Sequence, residues 1–146
     1  MQYSFESSLG RLTQQVSKGL GHLLEEKFSR AGYDIGAAQW TVISYLKARG
    51  PSTQKEIGNF MKYNKVMIKR IVDKLQSKGY VRRIPDDDDR RYNIVELTVS
   101  GKNLYVKLSS FAASTLEEVY KDIKHEELET CLYTLGKVAR KIEKFE

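Results

Sequence analysis

The chain has 146 residues, 40% of them hydrophobic and 30% charged, which fits one soluble globular domain able to bury about two thirds of its unfolded surface. A formal charge of +6 and a pI near 9.3 favour an acidic partner such as nucleic acid or a membrane surface. One cysteine excludes an intramolecular disulfide framework, two histidines show no zinc-ligand spacing, and no apolar run approaches the roughly 20 residues of a membrane span.

The opening MQYSFESSLGRL lacks the basic segment and apolar run of an export signal, so a cytoplasmic protein without a membrane partner is expected. From Phe5 to about Phe28, apolar residues recur at Phe5, Leu9, Leu12, Val16, Leu20 and Leu23 or Leu24, which is helical spacing with one stripe. Gly10, Gly19 and Gly21 weaken that helix and suggest close helix contacts, a bend or fraying. The stripe must cover something, either the chain's own core or a helix of a second subunit. Ala31 to Asp34 interrupts the pattern, and AAQWTVISYLKARG then gives a second helix with Trp40, Ile43 and Leu46 on one face, ended by Gly50 and Pro51. Trp40 reads as a core residue whose indole N–H needs a partner if buried.

Thr53 followed three residues later by Glu56 is a capping box, and it opens a short helix with Ile57, Phe60 and Met61 on its apolar face. Gly58 at its centre allows another helix to approach closely. After a turn through Lys62 and Tyr63, Asn64 is the N-cap of a helix running to about Ser77. Ile68, Ile71, Val72 and Leu75 form its inner stripe, and Lys65, Lys69, Arg70, Lys74 and Lys78 lie on other faces. Tyr80 to Ile84 and Tyr92 to Leu97 have strand character and form a two-stranded ribbon around the tip PDDDDRR. Helices resume after Thr98, with Leu104, Leu108, Phe111 or Ala112, Leu116, Val119 and Ile123 in register. A break at Lys124 and His125 precedes a last helix striped by Leu128, Leu132, Leu135, Val138 or Ala139, and Ile142. Cys131 falls on that stripe and is expected to be a buried, inert thiol.

Between Thr53 and Arg83 the cations Lys55, Lys62, Lys65, Lys69, Arg70, Lys74, Lys78, Arg82 and Arg83 face only Glu56 and Asp73 in opposition. Such a surface releases counterions from phosphates and supplies salt-dependent affinity for DNA. The aspartates Asp86, Asp87 and Asp88 also raise a metal-enzyme reading. Consecutive residues in a tight hairpin point in divergent directions, however, and no EF-hand pattern or phosphate-binding glycine loop accompanies them. Neither histidine sits in a recognisable catalytic set. No enzyme activity, metal or cofactor is expected, and the acidic tip should repel phosphate.

The stretch TQKEIGNFMKYNKVMIKRIVDKLQSKGYVRRIPDDDDRRYNIVELTVSG resembles, without a gap, the winged helix-turn-helix of the MarR family of bacterial transcriptional regulators. The cap TQKE, the run NKVMIKRIVDKLQSKGYV, the wing pattern D-x-R at Asp89 and Arg91, and the closing LT followed by Gly101 carry the resemblance. It extends more loosely over AAQWTVISYL and HEELETCLYTL. It implies a mainly α fold with a small β-wing: one MarR-like domain over 1–146, with the winged helix-turn-helix over about 36–99. Dimerisation helices over about 1–32 and 100–146 would flank it. It further implies a cytoplasmic homodimer, associated with the nucleoid through DNA, whose partner is double-stranded DNA and whose usual role is repression at a pseudo-palindromic operator.

By the same resemblance, the helix from Asn64 to Ser77 enters the major groove. Asn64, Lys65, Val66, Met67, Lys69 and Arg70 are the candidates to read bases or meet phosphates there, and Arg91 is expected to probe the minor groove braced by Asp89. Lys55, Arg82 and Arg83 are further DNA-binding candidates on the basic surface, the two arginines as phosphate holders. Val66 and Met67 depart from the small hydroxyl residues common in the family, and Lys62 replaces a frequent glycine at the turn. Many relatives bind small aromatic acids in a cleft beside the winged domain, and His22, Tyr33, Trp40 and Tyr45 lie in segments that would line it. The alternative of another class is a winged-helix protein-interaction module without specific DNA readout.

Overall fold

The computed structural model describes residues 1–88 and 93–146. Its helices and strands follow in the order α1 (Leu9–Arg30), α2 (Ala37–Arg49), β1 (Ser52–Thr53), α3 (Gln54–Met61), α4 (Lys65–Ser77), β2 (Val81–Pro85), β3 (Asn93–Leu97), α5 (Val99–Val119) and α6 (His125–Glu143). Two compact bodies comprise 1–112 and 113–146. No helix among the described residues is long and apolar enough to cross a membrane.

Helix α1 begins later than the apolar pattern suggests. Ser8 supplies the N-cap, its side chain accepting from the Arg11 N–H at 3.3 Å, so Phe5 lies outside the helix and is exposed. The Arg11 side chain donates instead to the carbonyls of Phe5 and Glu6 and holds that preceding turn. Leu9, Leu12 and Val16 stay exposed, whereas Leu24 and the fully buried Phe28 join the core. Of the three glycines in α1, Gly21 marks the close contact: a Cβ there would stand 3.1 Å from that of Ala37. Glu25 ties the two helices further, its Oε1 accepting the Ala37 N–H at 2.6 Å, where the first-turn donors of α2 otherwise lack partners.

The sheet has three antiparallel strands in the order β1-β3-β2, not the two expected. Ser52 pairs with Val95 and Thr53 with Ile94, which joins the entry to α3 to the wing. A strand of two residues following Pro51 has no periodicity of its own, and its partner decides it. The N-cap of α3 is present, Thr53 Oγ1 accepting from the Glu56 N–H at 3.1 Å.

The core of the first body is built from Phe28, Val42, Ile43, Ile57, Ile68, Val72, Leu75, Val81, Val95 and Leu108, all nearly or fully buried. These come from five helices and both long strands, so the helix-turn-helix and the wing share one interior. Ala112, not Phe111, takes the inward position on α5. The start of α5 is fastened to the wing by Thr98. Its Oγ1 donates to the Gly79 carbonyl at 2.6 Å and accepts from the Gly101 N–H at 3.0 Å, while its N–H donates to the Tyr80 carbonyl at 3.0 Å. A Cβ on Gly101 would lie 2.0 Å from that carbonyl oxygen, so this backbone approach admits only glycine.

In the second body, α6 buries none of its residues, and Leu132, Tyr133 and Ile142 are exposed. Cys131 is exposed with them, contrary to the expectation of a buried thiol. An apolar stripe marks the face a helix tends to bury, but burial requires a covering element, and among the described residues none covers Cys131.

Candidate nucleic-acid interface

Three local devices fix helix α4. Asn64 caps it, its Oδ1 accepting from the Met67 N–H at 2.9 Å. The turn before it closes tightly, the Tyr63 N–H donating to the Gly58 carbonyl at 3.0 Å with Lys62 left-handed at φ 58°. Lysine therefore tolerates the conformation that glycine would take more cheaply. Gly58 also lets α4 approach, since a Cβ there would meet Ile68 Cγ1 at 3.3 Å and the Tyr63 carbonyl at 3.2 Å.

With Ile68, Val72 and Leu75 turned inward, α4 presents Lys65, Val66, Met67, Lys69 and Arg70 to the outside. Val66 is 66% and Met67 42% exposed, an apolar pair flanked by cations at the helix start. At 13 residues the helix is about 20 Å long, enough to lie across a major groove about 12 Å wide. A cleft of about 620 Å³ between α3, α4 and the wing is lined by Gln54, Lys55, Asn59, Lys65, Lys69 and Asn93, among others.

The cations of this surface fall into two groups. Among the described residues, Lys55, Lys65, Arg70 and Lys74 are exposed and make no side-chain hydrogen bond or ion pair. Lys69, Lys78, Arg82 and Arg83 are internally paired. Lys69 Nζ lies 2.8 Å from Asp73 Oδ2, one helical turn on. Lys78 Nζ donates to the Asp34 carbonyl and, at 3.1 Å, to Gln39 Oε1, so it fastens the end of α4 to the entry of α2. Arg82 pairs with Glu96 directly across the two long strands.

Arg83 is the most enclosed, its side chain only 18% exposed. Its Nε donates to Gln54 Oε1 at 2.7 Å, Nη1 to Gln76 Oε1 at 2.6 Å and Nη2 to Asp73 Oδ1 at 2.6 Å. The hydrogen bond from Lys69, followed by that from Arg83, holds the Asp73 carboxyl below the usual carboxylate range. Gln54, Asp73 and Gln76 are thus parts of the site that sequence reasoning missed. Their only signal was the spacing of Asp73 and Gln76 on the helix that also carries Lys69. Asp89 and Arg91 lie outside the described residues, while Asp86 and Asp88 make a local turn, the Asp88 N–H donating to Asp86 Oδ1 at 3.0 Å.

The four aromatic and histidine candidates for a ligand cleft separate. His22 and Trp40 line one groove of about 410 Å³ between α1 and α2, together with Lys18, Glu25, Met61 and Tyr63. Trp40 stacks on Tyr105 with ring centroids 5.5 Å apart and meets Phe28 edge-on at 5.3 Å. Tyr33 and Tyr45 do not line the groove. Tyr33 packs near Phe111 at 6.5 Å, and Tyr45 is buried against Phe60 at 4.9 Å with Arg49 over both rings.

A sequence model described as the MarR family matches residues 33–91. The multiple antibiotic resistance protein MarR of Escherichia coli is 30% identical over 131 residues, spanning 89% of this chain and 90% of its own. The HTH-type transcriptional repressor NicR of Pseudomonas putida is 29% identical, with 84% of each protein covered. Among solved structures, a mutant of E. coli MarR complexed with operator DNA superposes with a TM-score of 0.77 at 30% identity, covering 89% of this chain and 92% of that one.

Proposed function

This chain belongs to the MarR family, and on that premise we propose that it is a sequence-specific DNA-binding transcriptional repressor acting as a homodimer on a pseudo-palindromic operator. The observation that carries the proposal is the outward face of α4. Lys65 and Arg70 stand there without internal partners among the described residues, beside the exposed Val66 and Met67, on a helix whose opposite side is sealed into the core. Arg70 supplies the fork for a bidentate contact to guanine, Val66 and Met67 supply apolar contact to thymine methyls, and Lys55 and Lys65 neutralise phosphates. Asn64 positions the helix as its cap. The exposed stripe of Leu9, Leu12 and Val16 on α1, and that of Leu132 and Ile142 on α6, are the surfaces a second copy covers.

The groove beside α1 and α2 is the place for a small aromatic effector, with Trp40 for its ring and Lys18 and His22 for an acidic group. Tyr63 lines this groove and also the cleft on the DNA side, so an occupant would act on the turn just before Asn64. A cytoplasmic protein associated with the nucleoid fits this role. Fluorescence anisotropy with a labelled duplex long enough for two half-sites tests the proposal. Binding at low salt, with log affinity falling linearly in log salt, is expected. No binding at low salt would favour a protein-docking module instead.

A further inference from the structure

We propose that Arg83 is a positioning residue for DNA readout, a bracket that fixes the reading helix relative to the wing, and not itself a phosphate ligand. The proposal rests on the DNA-binding reading above. Three elements meet at the one guanidinium: β2 carries it, Gln54 at the start of α3 takes Nε, and α4 takes both terminal nitrogens through Asp73 and Gln76. A fourth acceptor, the Lys69 carbonyl, lies 3.4 Å from Nη2. This planar fork of donors on β2 matches acceptors spread over two further elements, α3 and α4, which the single ammonium of lysine cannot span.

The electrostatics point the same way. Asp73 Oδ1 and Oδ2 are shared between Arg83 at 2.6 Å and Lys69 at 2.8 Å. For Arg83 to bind a phosphate it would have to leave Asp73, and a half-exposed carboxylate would then face the DNA with one cation instead of two. That exchange swaps one opposite-charge pair for another and leaves Asp73, held by Lys69 alone, beside a like charge. A side chain only 18% exposed is also poorly presented to a phosphate outside the protein. What Arg83 does from this position is set the distance between Arg70 on α4 and the wing, and hence whether both fit one half-site together.

The test measures three quantities for each variant against a duplex recovered by in vitro selection: specific affinity, affinity for unrelated duplex, and salt dependence. Arg83→Ala is expected to lower the ratio of specific to non-specific affinity by roughly tenfold or more, the worth of one base contact, with the salt slope unchanged. Arg83→Lys, which keeps the charge, should fail to restore the ratio. Asp73→Asn separates the alternatives by sign. It removes a negative charge from the DNA face, so charge alone predicts tighter binding to every duplex, whereas the bracket predicts a lower specificity ratio. Melting curves identify any variant that does not fold, and if Arg83→Ala is one, Asp73→Asn carries the same prediction. A fall in slope of about 0.9 per protomer in Arg83→Ala, recovered by Arg83→Lys, would overturn the proposal. So would an undiminished ratio in Asp73→Asn. A wild-type chain that bound no DNA would instead overturn the reading on which it rests.

Discussion

The division of the surface cations into free and internally paired groups makes a quantitative prediction for Lys65 and Lys78, which composition treats alike. Each phosphate contact contributes a slope of about −0.9 to log affinity against log salt. Lys65 is exposed and without an internal partner among the described residues, so Lys65→Ala should remove one contact per protomer. At about 0.1 M salt that is roughly an eightfold loss per contact, and roughly sixtyfold with a slope change of about 1.8 if both protomers of a dimer lose it. Lys78 is different, because its ammonium is held by the Asp34 carbonyl and by Gln39 at 3.1 Å, with the side chain only 27% exposed. Lys78→Ala should leave the slope unchanged and act, if at all, through the seating of α4 on α2. Anisotropy titrations of both variants over a salt series on one duplex supply the slopes. Equal slope losses in the two variants, or none in Lys65→Ala, would refute the reasoning.

Three further outcomes follow from the packing and the charges. Gly101→Ala drives a Cβ to 2.0 Å from the Tyr80 carbonyl oxygen, a backbone atom that also accepts the Thr98 N–H. About 3 kcal/mol of destabilisation, or a fall of about 10 °C in Tm for a chain of 146 residues, is expected by calorimetry, and an unchanged Tm would contradict the close approach. The Asp73 carboxyl is depressed by its hydrogen bonds to Lys69 and then Arg83. Its contribution to stability is therefore complete above the ordinary value of about 3.9 and is lost as pH falls through the lower folded value. The difference in unfolding free energy between wild type and Asp73→Asn should shrink as pH falls below about 4, and a difference that grew there would reverse the sign of the argument. Trp40 is the sole tryptophan and lines the groove, so titration with benzoate should change its fluorescence saturably if an aromatic acid binds there. Release from DNA by benzoate without any change at Trp40 would move the effector site elsewhere.

Much of the architecture was legible because local rules and packing agree. Asn64 is a strong cap directly before a helical stripe, and Ile68, Val72 and Leu75 repeat at the spacing that buries one face, so α4 could be placed from the sequence. The strand β1 was not legible, because two residues gain strand character only from Val95 and Ile94, more than 40 positions away. The same limit governs the site. Spacing identified a basic surface but could not show which cations are spent internally. Lys78 finds its acceptors 44 and 39 residues earlier, Arg83 finds Gln54 29 residues earlier, and Arg82 finds Glu96 only once the ribbon is in register. Cys131 illustrates the complement, since its stripe was visible but a stripe does not show whether anything covers it, and Cys131 is exposed. Tyr45 was placed in the cleft by its segment alone, whereas its own helix turns it into the core against Phe60.

In vitro selection of bound duplexes from a random library, repeated with Arg70→Ala, tests the central claim most directly. A dimer that reads DNA through the outward face of α4 should enrich a palindrome whose half-sites lie about one helical turn apart, and Arg70→Ala should relax the preference at one base pair in each half. Enrichment of no sequence, or of an unsymmetrical site insensitive to Arg70→Ala, would contradict it.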